Sequence, residues 1–115
     1  MALNESELKK IEKLVGRYVA SIRPASHMRK QLDFSFRISG QSFEIVERRP
    51  QWNDPTKIRE SPIAKATYVK SRKVWRLYWM RADLQWHSYE PYPESGSLEK
   101  ILETIKQDRY HCFWG

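Results

Sequence analysis

Between Ile63 and Tyr89, three short runs sort their side chains into two faces of opposite character when folded back on one another. Ile63 to Lys70, Lys73 to Trp79 and Leu84 to Tyr89 alternate with period two, as strands do when successive side chains point to opposite sides. Ser71-Arg72 is read as a two-residue turn and Met80 to Asp83 as a four-residue turn. One face then aligns Ala64 with Trp79 and Leu84, Ala66 with Leu77 and Trp86, and Tyr68 with Trp75 and Ser88. Small Ala residues lie opposite bulky ones, which lets facing layers fill space. The other face aligns Lys65 with Tyr78 and Gln85, Thr67 with Arg76 and His87, and Val69 with Val74 and Tyr89. This contrast in polarity predicts an antiparallel sheet covered on one side.

A hairpin precedes the meander. Leu32, Phe34, Phe36 and Ile38 alternate with polar residues. With Ser39-Gly40 as a two-residue loop, Ile38 faces Gln41, Phe36 faces Phe43 and Phe34 faces Ile45. Glu47 to Glu60, rich in Pro, Asn and Arg, reads as a structured loop of about a dozen residues. A helix is expected over Glu5 to Ser21. Asn4 and Glu7 match a capping box, and Leu3 and Leu8 match a hydrophobic staple. Its apolar stripe runs through Leu8, Ile11, Leu14, Val15, Tyr18, Val19 and Ile22, and Pro24 bars continuation. A second helix is expected over Leu98 to Gln107, capped by Ser97, with its stripe at Leu98, Ile101, Leu102 and Ile105. The aromatic tail after it predicts that Phe113 or Trp114 docks. The fold class is therefore α+β: an N-terminal helix, a five-stranded antiparallel sheet built from a hairpin plus a three-stranded meander, and a C-terminal helix. Both helices are expected on one sheet face. Residues 1–115 make a single domain in this reading.

The chain carries 21 Lys and Arg against 14 Asp and Glu, a formal charge of +7. The surplus is local. Lys57 to Arg81 holds eight basic residues and one acid, while the remaining residues carry equal numbers of each sign. The outward face of the meander thus joins cations to aromatic rings. Lys65, Arg76, Tyr78, His87 and Tyr89 are expected on it, with Lys70, Arg72 and Lys73 at the hairpin tip. Cations bind phosphates and rings stack on bases, so nucleic acid is the expected ligand of a small, basic, non-enzymatic binding module. Solvated lysines and arginines that oppose edge-to-edge aggregation are the plainer account of the same residues. Trp75, Trp79 and Trp86 are read as core. Trp52, in the loop, could serve as a lid, an interface anchor or a core plug. Exposed aromatics and a sheet edge make a protein-interaction or homodimeric module the alternative.

Catalytic signatures are missing, and the reading leans away from an enzyme. There is no Gly-rich phosphate loop, GxSxG, HExxH or paired CxxC, so no cofactor is expected. Cys112 and three His at unsuitable spacing predict no metal site. An enzyme using His87 or Cys112 is a third option, requiring a lowered thiol pKa and a nearby base. A lone cysteine suits a reducing compartment. The start of the chain lacks a secretory pattern, and no apolar run is long enough to cross a membrane. A cytoplasmic protein without a membrane partner is the expectation.

From Ile63 onward the chain resembles the bacterial domain-of-unknown-function family numbered 3024. The resemblance rests on Ala64-Lys65-Ala66, Trp75-Arg76-Leu77-Tyr78-Trp79, Arg81-Ala82-Asp83-Leu84, Trp86-His87-Ser88-Tyr89 and the ending Cys112-Phe113-Trp114-Gly115. It implies a bacterial source and a small stand-alone protein. It transfers no activity and no catalytic or binding residue.

Overall fold

The computed structural model describes residues 3–114. Met1, Ala2 and Gly115, which belong to the readings of the chain start and of the aromatic-Gly ending, lie outside the described residues. Helix α1 spans Glu5–Ile22. Its predicted capping box is present: the Asn4 carboxamide oxygen accepts from Glu7 N–H at 2.8 Å, and Glu7 Oε1 accepts from Asn4 N–H at 3.2 Å. Two orphan donors of the first turn are satisfied reciprocally. The expected stripe is buried at Ile11, Val15, Tyr18 and Val19. A short 3₁₀ turn, Ser26–Met28, leads into the sheet.

Strands β1 (Asp33–Ser39), β2 (Ser42–Gln51), β3 (Asp54–Val69), β4 (Val74–Met80) and β5 (Trp86–Ser88) form an antiparallel sheet in chain order. A two-residue strand β6 (Glu94–Ser95) pairs with β4 as well. Helix α2 spans Leu98–Gln107, as expected, and the Ser97 hydroxyl caps it by accepting from Lys100 N–H at 3.3 Å. Phe43, Ile45, Ala64, Ala66, Trp75 and Leu77 from the sheet join the stripes of both helices in one apolar cluster. Both helices therefore lie on the same sheet face, and among the described residues the other face carries none. Phe113 is buried in that cluster, and the Trp114 indole N–H donates to the Ile105 carbonyl at 3.0 Å, so both tail aromatics dock.

Three local expectations are corrected. The first hairpin turns at Gly40-Gln41, with Ser39 opposite Ser42, Ile38 opposite Phe43 and Phe36 opposite Ile45. The register is displaced by two residues from the expected one, so every side chain keeps its face. Gly40 takes φ +59°, the conformation that favoured two-residue hairpin turns demand.

The expected loop from Glu47 to Glu60 is not a loop. β2 and β3 stay paired nearly to their joint turn, through Arg48–Glu60, Arg49–Arg59 and Pro50–Ile58, with irregularities after Ile45 and Pro50. The Pro and Asn residues that suggested a loop sit instead on an exposed ribbon and at its Trp52-Asn53 turn.

The third correction matters most for the candidate site. The β3–β4 register is the predicted one throughout, from Ala64–Trp79 to Val69–Val74. The β4–β5 register is not: Met80 faces Trp86, Trp79 faces His87 and Tyr78 faces Ser88. The connection is one residue longer than expected. Asp83 Oδ1 accepts from Gln85 N–H at 3.0 Å, and Leu84 is turned out at φ +62°, 74% exposed. The resulting shift of three residues is odd, so every β5 side chain exchanges faces. Beyond Ser88 the chain leaves β4 and returns as β6, which takes the Trp75 and Arg76 positions that Ser88 and His87 were expected to fill.

Candidate functional site

The uncovered face is built from alternate residues of β2, β3 and β4. Thr67 and Arg76 are cross-strand partners, as are Lys65 and Tyr78. Helix-side neighbours Ala64, Ala66, Trp75 and Leu77 are buried, so alternation turns Lys65, Thr67, Arg76 and Tyr78 outward. All four are half-buried.

Tyr78 is the centre. The Lys65 ammonium stands 5.9 Å from its ring centroid, and the Arg76 guanidinium stands 5.7 Å from it. The same Lys65 ammonium is 5.9 Å from the Trp86 ring. Each cation is thus held over the negative face of an aromatic ring, an attraction of about 0.5–1 kcal/mol at exposed sites. Neither Lys65 nor Arg76 makes an ion pair among the described residues. Their charges remain available to an anion, with their long stems already positioned.

Acids border the cluster. Glu44 faces Lys65 across β2 and β3, and it pairs with Arg37 at 3.3 Å. Glu94 of β6 is the cross-strand partner of Arg76 and forms an ion pair with Arg72. Arg72 is therefore partly neutralised. Lys70 and Lys73 are exposed in the β3–β4 loop, where Lys73 takes φ +53°.

Two expected members are elsewhere. Tyr89 is 2% exposed and lies in the helix-side core, its ring 4.9 Å from that of Phe113. His87 faces Trp79 on the helix side of the sheet edge. Trp86, expected in the core, stands instead beside Lys65. All three corrections follow from the single odd shift of β5. No pattern in the run Trp86-His87-Ser88-Tyr89 could have revealed it, because aromatic residues and a histidine suit either face.

His87 has a different setting. Its Nε2–H donates to Asp83 Oδ2 at 2.8 Å, and that hydrogen bond holds the Asp83 carboxyl below the usual carboxylate range. With Trp79, Arg81, Tyr89 and Cys112 it borders a recess of about 360 Å³. A base and a thiol thus share one hollow. Burial, with the Asp108 carboxylate adding, pushes the Cys112 thiol above its ordinary value. A thiol pushed up in this way is less nucleophilic at neutral pH than a free one.

Trp52, expected as a lid, anchor or plug, is 93% exposed at the tip of the β2–β3 ribbon and plugs nothing. Among the described residues, no helix is long and apolar enough to cross a membrane.

A family model described as a domain of unknown function (DUF3024) matches residues 3–115. The likeness covers nearly the whole chain and is not confined to the run from Ile63 onward. No curated protein and no solved structure matches the chain.

Proposed function

The chain belongs to the DUF3024 family, and from that premise we propose that it is a small nucleic-acid-binding module whose ligand lies on the uncovered sheet face. The observation that carries this reading is the arrangement around Tyr78, with Lys65 at 5.9 Å and Arg76 at 5.7 Å from one ring on a face opposite both described helices. Two cations that make no ion pair among the described residues supply phosphate contacts, and the Tyr78 and Trp86 rings offer stacking surfaces. That combination suits strands whose bases are accessible better than it suits a closed duplex. Lys70 and Lys73 add positive charge in the exposed β3–β4 loop, where Lys73 borders a helix-side recess with Tyr68 and Trp75. His87 and Tyr89 have no part in it.

The test is fluorescence anisotropy with a labelled five-nucleotide single strand at about 50 mM salt, where phosphate contacts are strongest. Binding is expected. Tyr78→Ala is expected to weaken it about 5- to 100-fold, the loss of one base–aromatic stack. An affinity unchanged in Tyr78→Ala and in Arg76→Ala would remove this face from consideration.

A homo-oligomeric module is the second reading, favoured by the exposure of Trp52 (93%) and Ile58 (48%) on one ribbon. Light scattering at micromolar concentration, with and without Trp52→Ala, separates the two.

A further inference from the structure

The far end of the β2–β3 hairpin stands beyond the rest of the sheet. β1 pairs with β2 only as far as Arg48, and β4 pairs with β3 only from Ala64 onward. The segment between is a two-stranded ribbon with an exposed Trp at its turn. The molecule is 45 Å long against 29 and 24 Å in the other directions. An indole 93% exposed at the ribbon's turn is a large, rigid aromatic surface open to a partner.

The ribbon's own chemistry narrows the partner. Pro55 and Pro62 lie on β3 and Pro50 on β2, and proline has no N–H to donate to an added strand. Prolines and charges along an edge oppose β-augmentation by a second chain. Contacts must therefore come from side chains. Those available are Trp52 and the cations Arg48, Arg49, Lys57 and Arg59. The first three of these have acid neighbours in Glu60, Glu47 and Asp54, and Arg59 makes no ion pair among the described residues.

The ribbon is also continuous with the candidate face, because β3 carries Lys65 at one end and leads to Trp52 at the other. The separation along the strand is roughly 40 Å at 3.3 Å per residue. That is about 12 nucleotides at the 3.4 Å spacing of a stacked strand, and fewer if it is extended.

We propose that a single nucleic-acid strand held over Tyr78 and Trp86 continues along β3 and stacks a further base on Trp52. This rests on the reading of the sheet face given above. It adds a second contact at the end of the ribbon and a minimum ligand length.

The two ideas separate by probe length. Anisotropy is measured with five- and fifteen-nucleotide single strands, for the parent protein, Trp52→Ala and Trp52→Phe. Only the longer strand reaches both contacts. It is expected to bind the parent more tightly than the short one. Trp52→Ala should lose about 5- to 100-fold on the long strand and nothing on the short one. Trp52→Phe should keep most of the affinity. Equal long-strand affinity in the parent and Trp52→Ala, with short-strand binding intact, overturns the second contact and leaves the sheet face standing. Absence of binding by both strands overturns the sheet-face reading and the second contact with it. Tighter binding of a fifteen-base-pair duplex than of the single strand overturns the assignment to single strands. A dimer that dissolves in Trp52→Ala without change in strand affinity assigns the indole to self-association instead.

Discussion

Asp108 ends α2 in the left-handed conformation at φ +41°, and its carboxylate accepts from Phe113 N–H at 3.0 Å and Trp114 N–H at 2.8 Å. It is 7% exposed. One residue thus stops the helix and fixes the tail against it. The aromatic tail was legible in the sequence as a docking segment, but the acid that docks it was not, because Asp-Arg after a helix reads as an ordinary solvated end. A second carboxylate has a testable pH signature. Asp33 accepts Arg23 Nε–H and Nη2–H at 2.8 Å each, tying the end of α1 to the start of β1. The hydrogen bonds from Arg23, followed by that from Phe34 N–H, hold its carboxyl below the usual carboxylate range. A depressed folded-state pKa adds stability that is complete above the unfolded-state value and is lost as pH falls through the folded one. Urea unfolding of the parent and Asp33→Asn should therefore differ by a constant amount from pH 7 down to about pH 5 and converge as acid protonates Asp33. A gap that stays constant to pH 2 would contradict the assignment.

Among the elements, β2 and β5 both depart from the expected register, with unequal consequences. The β1–β2 hairpin was displaced by two residues, and its apolar residues still reached the core. β5 was displaced by three, and Trp86, His87 and Tyr89 all changed sides. Strand existence and the face of β3 and β4 were legible because Ala64, Ala66, Trp75 and Leu77 must alternate with Lys65, Thr67 and Arg76. The three-residue β5 gave too little alternation to resist the pull of the Asp83 turn. The ribbon is not legible in the sequence for a related reason: between Glu47 and Glu60 neither face is buried, so no hydrophobic period marks it as strand. Helix α1 was fully legible, and it contains a correctable weakness. A Cβ added at Gly16 would lie 3.7 Å from the Phe36 ring, an ordinary contact. Gly16→Ala should stabilise the protein by up to about 1 kcal/mol through helix propensity. The check is a raised urea midpoint with an unchanged slope, and a lowered midpoint would mean that α1 and β1 cannot accept the added methyl.

At the scale of the whole molecule, the two helices cover one side of the sheet, and the other side carries Lys65 and Arg76, which make no ion pair among the described residues. The charge of +7 was legible as local, and its centre at Lys65, Arg76 and Tyr78 was placed on the outward face by a register that holds throughout β3 and β4. Its surroundings were not legible, because Glu94 arrives through β6 and Trp86 through the β5 shift. The face is accordingly smaller than expected, with the Trp86 ring in the place of Tyr89 and no histidine. Its electrostatic share can be read directly from the salt dependence of binding. A fifteen-nucleotide single strand is titrated at salt concentrations from about 50 to 200 mM with the parent and with the double variant Lys65→Gln/Arg76→Gln. Each phosphate contact on a single strand contributes about 0.7 to the slope of log affinity against log salt. The double variant is expected to bind more weakly and to lose about 1.4 from that slope. A parent protein that does not bind at about 50 mM salt, or a double variant with the same slope and affinity, would contradict the placement of the ligand on this face.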